Sequence, residues 1–180
     1  MTEDYASNPN VISLEHMDVR EDHESAAFKQ YLGIQWIMAN YDPDFLYVAG
    51  SDVHVNVPNM LRLVDQFNPT FPFYIGNAGL IDNCLNSNVL LHDGGPGFIL
   101  TSETLKRMKP HLNGFQERWI KLINIWYPHH PAYRSACDVS MAILCCCLGV
   151  YHIKVLNAFI NKCRSDCENI DEIVACHGYW

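Results

Sequence analysis

Apolar residues alternate between helical spacing and short continuous runs along this chain. After Ser25, the positions Phe28, Leu32, Trp36 and Ala39 recur at helical spacing and predict a helix from Ala26 to Ala39, capped by Ser25. Asn40, Asp42 and Pro43 end it. Phe45 to Val48 is a consecutive bulky run and reads as a buried strand. Pro58 opens a short helix through Val64. "NPTFPFYIGNAG" is strand-like but punctuated by proline and glycine. "NVLLHDGGPGFILTSETLKRM" reads as strand, glycine turn, strand and helix, with Thr101 or Ser102 as cap and Glu103 in the first turn. Residues 111–136 form a less regular aromatic stretch. A helix is expected from Asp138 through Gly149, and strands over Lys154 to Ala158 and Glu172 to His177. Residues 1–22 read as a lead-in with a short strand at Val11 to Leu14, followed by one unit over 23–180. Strands interleaved with helices predict an α/β fold.

Composition narrows the partners. Apolar residues make up 49% and charged residues 18% of the 180, which is a globular pattern. The net charge of -8 argues against nucleic acid and anionic membrane, since both need a basic face. An anionic ligand still fits an acidic protein when a cation supplies the positive charge. The most apolar run, Met141 to Tyr151, is shorter than the roughly 20 residues a membrane span needs. The polar start "MTEDYASNPN" lacks the pattern of a signal peptide, and no membrane anchor is visible in this chain.

Eight cysteines are many for a cytosolic protein of this size, and their positions divide them. Cys145 to Cys147 lie in the apolar helix and are expected to be buried thiols. Cys163, Cys167 and Cys176 suit disulfides in an oxidising compartment. Together with His177 they also spell a conceivable zinc set, although no second close pair completes it.

Four features carry candidate chemistry. The run Phe45 to Val48 delivers Gly50, Ser51, Asp52, Val53 and His54 at its end. Asp-x-His spacing is common, and Asp52 reads as a turn residue with His54 on the surface. Ligands of open α/β sheets, however, bind beyond the carboxyl ends of strands, where an aspartate can hold a cation and the cation a diphosphate. In "HDGGPGF", Gly94 and Gly95 either make an ordinary hairpin turn or let the backbone approach a ligand closely. Asp138 is either an N-cap carboxylate or a general base held at a helix start. His177 closes an apolar strand, either buried or as a metal ligand.

The order of these features resembles the inverting β1,3-glycosyltransferase superfamily, which includes fringe, core 1 galactosyltransferases and β1,3-galactosyltransferases. The segments "FKQYLGIQWIMANYDPDFLYVAGSDVHVNVPNML", "HDGGPGFILTSETLKRM", "CDVSMAILCCCLGVYHIK" and "DEIVACHGYW" follow one another as the corresponding family segments do. The resemblance implies a nucleotide-diphospho-sugar transferase fold of the glycosyltransferase-A type, truncated at its N-terminal side. It implies transfer of a hexose, galactose or N-acetylhexosamine, from a UDP-sugar to a hydroxyl of a glycan or glycoprotein acceptor, inverting, to a β1,3 linkage.

Residue by residue, Asp52 matches the last aspartate of the family's Asp-x-Asp metal motif, and Gly50 stands where the first is expected. His177 matches the strand-end histidine that completes the Mn2+ site. Asp138 matches the catalytic base, with Cys137 in place of the usual glutamate. Gly94 and Gly95 match the glycine turn near donor and acceptor, with Pro96 at a position often small. Trp126, Tyr127 and Tyr133 are placed to stack on acceptor sugars, with core packing as the alternative, favoured for Trp126. The family works in the Golgi or secretory lumen. Family members carry about a hundred residues, a half-domain scale, ahead of this region. Residues 1–180 alone are therefore expected to transfer little sugar. Two other classes compete: a non-catalytic relative that binds sugar or assists folding, and a small Cys/His zinc-binding interaction domain.

Overall fold

Ser25 stands at the N-cap of α1 (Ala26–Asn40), without a side-chain capping bond, and Tyr31 and Ile34 face inward. The structure is a computed structural model and describes residues 25–81, 89–129, 131–161 and 173–178. The lead-in over 1–22, and Cys84, Cys163 and Cys167, lie outside the described residues.

The architecture is mixed α/β. A four-stranded sheet runs in the order β1 (Phe45–Val48), β6 (Phe98–Thr101), β3 (Phe73–Gly76), β7 (Tyr151–Lys154). The β1–β6 and β6–β3 pairs are antiparallel and β3–β7 is parallel. Successive residues of a strand point to opposite faces, so this sheet feeds two cores. Tyr74, Phe98 and Leu100 pack with Leu105, Met108, Trp119, Ile123 and Met141 on the helical side. Those residues come from α3 (Ser102–Leu112), α4 (Phe115–Trp126) and α5 (Cys137–Cys147). Ile75 and Ile99 face the other way, onto Leu63 of α2 (Val57–Val64), Phe159 and Ala175. A strand covered on both faces needs a continuous apolar run, which β6 supplies in Phe98, Ile99 and Leu100 before the buried Thr101.

On that second face lies a three-stranded sheet in the order β2 (Val53–Val55), β9 (Ala175–His177), β8 (Phe159–Ile160). A two-stranded ribbon, β4 (Ala78–Ile81) with β5 (Val89–His92), completes the pairing. Among the described residues, no helix is long and apolar enough to cross a membrane.

Several sequence expectations shift. The stretch over 111–136 holds a full helix, α4, whose Trp119 indole donates to the Tyr133 carbonyl at 2.8 Å. The strand expected over Lys154 to Ala158 lies earlier, at Tyr151–Lys154, because Gly149 turns left-handed and ends α5 abruptly. Thr101 is the N-cap of α3 by position, but its hydroxyl donates to the Phe71 carbonyl at 2.7 Å instead of capping the helix.

The cysteine triplet also divides. Cys145 is buried, whereas Cys146 and Cys147 are exposed where the helix leaves the core. A thiol reagent should therefore label Cys146 and Cys147 rapidly and Cys145 only on unfolding. Equal rates at Cys145 and Cys146 would contradict this packing. Cys176 is disulfide-bonded. A sulfur in a disulfide is not a thiolate ligand, so the zinc set of Cys163, Cys167, Cys176 and His177 is set aside.

Candidate functional site

Three strand ends meet at one margin of the β2–β9–β8 sheet. β2 is antiparallel to β9, with Val53 opposite His177. β8 is parallel to β9, with Ile160 opposite Cys176. The start of β2 and the ends of β9 and β8 therefore coincide. Asp52, one residue before β2, meets His177, the last residue of β9, across 125 residues of sequence: His177 Nε2 lies 3.1 Å from Asp52 Oδ2. A carboxylate only accepts, so Nε2 carries the proton in this contact. Both side chains are open to solvent, Asp52 at 64% and His177 at 33%. His54, next along β2, is exposed.

The glycine turn lies against this pair. Residues 93–97 join β5 of the ribbon to β6 of the main sheet, so the segment is a crossing between sheets and not the hairpin its Asp-Gly suggests. Asp93 Oδ1 accepts from Gly95 N at 3.1 Å, and Tyr47 donates its hydroxyl to the Pro96 carbonyl at 2.6 Å. Burial pushes the Tyr47 hydroxyl's pKa well up, so it stays a donor. Gly97 has φ +80, and a Cβ there would come 2.5 Å from the Val48 carbonyl oxygen. Gly97→Ala should lose roughly 1–2 kcal/mol from left-handed backbone strain alone, read as a lower urea midpoint. An unchanged midpoint would mean the turn has another conformation. Gly95 is glycine because there is no room: a Cβ would lie 2.5 Å from Asn161 Oδ1 and 2.9 Å from His177 Nδ1.

Asp138 approaches the same turn from the other side. It lies in the first turn of α5, whose N-cap is Ala136. Its Oδ1 accepts from Val139 N at 2.8 Å and its Oδ2 from Gly94 N at 3.4 Å. A helix N-terminus favours negative charge at this position. α1 braces it: Gln30 Nε2 donates to the Cys137 carbonyl at 3.2 Å, and Tyr31 and Ser140 share a hydrogen bond of 2.7 Å. Burial, then the charge of Asp138, pushes the Cys137 thiol up to about 11. It is therefore protonated at neutral pH and no nucleophile.

Sequence reasoning missed three features here. Asn161 gives its side-chain amide to Asp93 Oδ2. Beneath the turn, His92 Nε2 donates to the Tyr74 carbonyl at 2.8 Å, and His152 Nδ1 to the Leu90 carbonyl at 2.6 Å. These two imidazoles tie the β4–β5 ribbon to β3 and β7. His92 is fully buried, and burial lowers its pKa to about 4. The visible signal for His92 was its place directly before Asp-Gly-Gly. Asn161 had none.

The three aromatic candidates, Trp126, Tyr127 and Tyr133, lie on or beside α4. Tyr133 lies in a one-turn 3-10 helix (Pro131–Arg134) held by α4, with its ring edge-on to Tyr127 at 5.5 Å. Trp126 ends α4 and is 43% exposed, so the core packing favoured for it does not hold. Asp52, His177, Gly94, Gly95 and Asp138 are joined around one turn.

Among the described residues, no group of three or more His, Cys, Asp or Glu is gathered to hold a metal. Asp52 and His177 nevertheless fit as a pair. With ligand bonds of about 2.0–2.2 Å, neighbouring donors in an octahedral shell stand about 3 Å apart. No protein-family model matches the chain, and a search of curated proteins finds no match.

Proposed function

We propose that this chain is the catalytic part of an inverting hexosyltransferase of the glycosyltransferase-A type, which moves a hexose from a UDP-sugar to a sugar hydroxyl of a glycan or glycoprotein with formation of a β1,3 linkage. One observation carries the reading. Asp52 and His177, 125 residues apart, come within 3.1 Å beside a glycine turn that also receives Asp138.

In this reading Asp52 and His177 would hold Mn2+. When bound, the ion supplies positive charge to the leaving diphosphate. Asp138 accepts the proton of the acceptor hydroxyl as that oxygen attacks the anomeric carbon. Its two backbone bonds fix the carboxylate, so little orientation is left to find during reaction. Gly94 and Gly95 lack the Cβ atoms that would crowd Asp138 and His177, so both side chains lie close against the turn. Trp126, Tyr127 and Tyr133 are candidate acceptor contacts. The disulfide at Cys176 suits an oxidising compartment, in keeping with the Golgi or secretory lumen.

A second reading, a sugar-binding or folding-partner protein without turnover, is favoured by Gly50. A Cβ at that position would lie 2.7 Å from Asp52 Oδ1. A second carboxylate there would have to displace the first, and half of the resembled family's Asp-x-Asp motif is missing. The test is incubation with UDP-galactose or a UDP-N-acetylhexosamine, Mn2+ and a panel of glycan acceptors, followed by NMR of the product linkage. A new β1,3 linkage supports transfer. UDP-sugar binding without product in this chain, and in one extended at its N-terminal side, supports the second reading.

A further inference from the structure

We propose that Asp93 and Asn161 form a latch that positions His177 against Asp52. The inference rests on reading Asp52 and His177 as a working pair, and not on glycosyl transfer.

The latch has two halves from distant sequence. Asp93 opens the glycine turn, and its carboxylate spans two donors: Oδ1 accepts from Gly95 N and Oδ2 from the Asn161 amide. Asn161 follows β8, whose parallel register with β9 brings it level with His177. The two side chains close over one point. A Cβ on Gly95 would touch both Asn161 Oδ1, at 2.5 Å, and His177 Nδ1, at 2.9 Å. The ring of His177 is therefore backed by the turn on its Nδ1 edge and aimed at Asp52 on its Nε2 edge. Without Asn161, the turn loses its tie to β8 and the ring loses its backing. Asp93 and Asn161 touch neither Asp52 nor the acceptor base Asp138 in any described contact, so their effect passes through His177. Partners that orient a metal-binding histidine typically change affinity by about 10–100-fold.

A charge-preserving swap tests the latch. Asp93→Asn leaves two facing amides, Asn161→Asp leaves two facing carboxylates, and the double variant restores one of each. Mn2+ affinity is measured by electron paramagnetic resonance on the whole chain, with Asp52→Asn as the reference for a lost site. Each single variant should bind about 10–100-fold more weakly and the double variant should recover most of that loss. Single variants that bind as the wild type does would overturn the latch, as would a double variant no better than the singles. Carbethoxylation of His177, located by mass spectrometry, needs no metal and separates the two claims. If the wild type binds no Mn2+ through Asp52, the metal reading fails, and the latch still requires faster His177 modification in both single variants and a return in the double variant. Unchanged modification rates would overturn it.

Discussion

Asp138→Asn should lower the rate of sugar transfer by about 10²–10⁴-fold while leaving Mn2+ affinity unchanged. Asparagine has the shape of aspartate and keeps one side-chain oxygen to accept from the backbone. The bonds from Val139 N and Gly94 N can then be kept in part, and the fold has little reason to change. What is lost is the ability to take a proton. The expected loss corresponds to roughly 3–5 kcal/mol of transition-state stabilisation. Asp138 faces Gly94, while Asp52 and His177 face each other, so the two functions separate cleanly. Rates are compared in whichever form of the chain turns over measurably, residues 1–180 or a longer one. A variant that retains full activity would remove Asp138 from the chemistry.

Acidification should destabilise the fold between about pH 6.5 and pH 4, chiefly through His92. In the folded chain the pKa of this imidazole is lowered to about 4 by burial, with His152 nearby adding to the effect. In the unfolded chain it returns to about 6.5. Above that value both states are neutral and the group adds nothing to the pH dependence. Between the two values only the unfolded state binds the proton, so stability falls as pH falls. Below about 4 both states are charged and the loss from this group is complete. The 2.5-unit difference corresponds to at most about 3 kcal/mol. His152, lowered in the same direction by burial, adds to the slope.

The consequence reaches the site, because His92 immediately precedes Asp93 and holds the ribbon to the Tyr74 carbonyl. Urea midpoints at a series of pH values should drop across this window in the wild type. His92→Gln should begin less stable and show a shallower slope. Equal slopes would assign the acid sensitivity to other groups.

How much of the fold and site was readable beforehand depends on the range of the signal. α1 and β1 were legible because local periodicity and a consecutive bulky run specify them. α4 was obscured by its aromatic and β-branched residues, although Phe115, Trp119 and Ile123 stand four apart as a helix requires. Cys146 and Cys147 were misjudged because the run from Val139 to Cys145 is buried throughout and, apart from Ser140, apolar, which gives no hint of where the helix emerges. The approach of Asp52 and His177 came from the order of segments resembling a family, not from spacing. Asn161 was invisible, since only the β8–β9 register and the absence of a Cβ at Gly95 give it a role. Local sequence can name turn residues, but it cannot say which distant side chains close over them.

The most direct test of the site is where Mn2+ acts on the folded chain. Paramagnetic broadening in NMR falls steeply with distance, so substoichiometric Mn2+ should first erase the signals of His177, Asp52, Gly94 and Gly95. Those of His111, in the last turn of α3, should persist. The selective loss should disappear in Asp52→Asn and in His177→Ala. Broadening centred elsewhere, or selective loss that survives both substitutions, would contradict the assignment of this margin as the cation and sugar-nucleotide site.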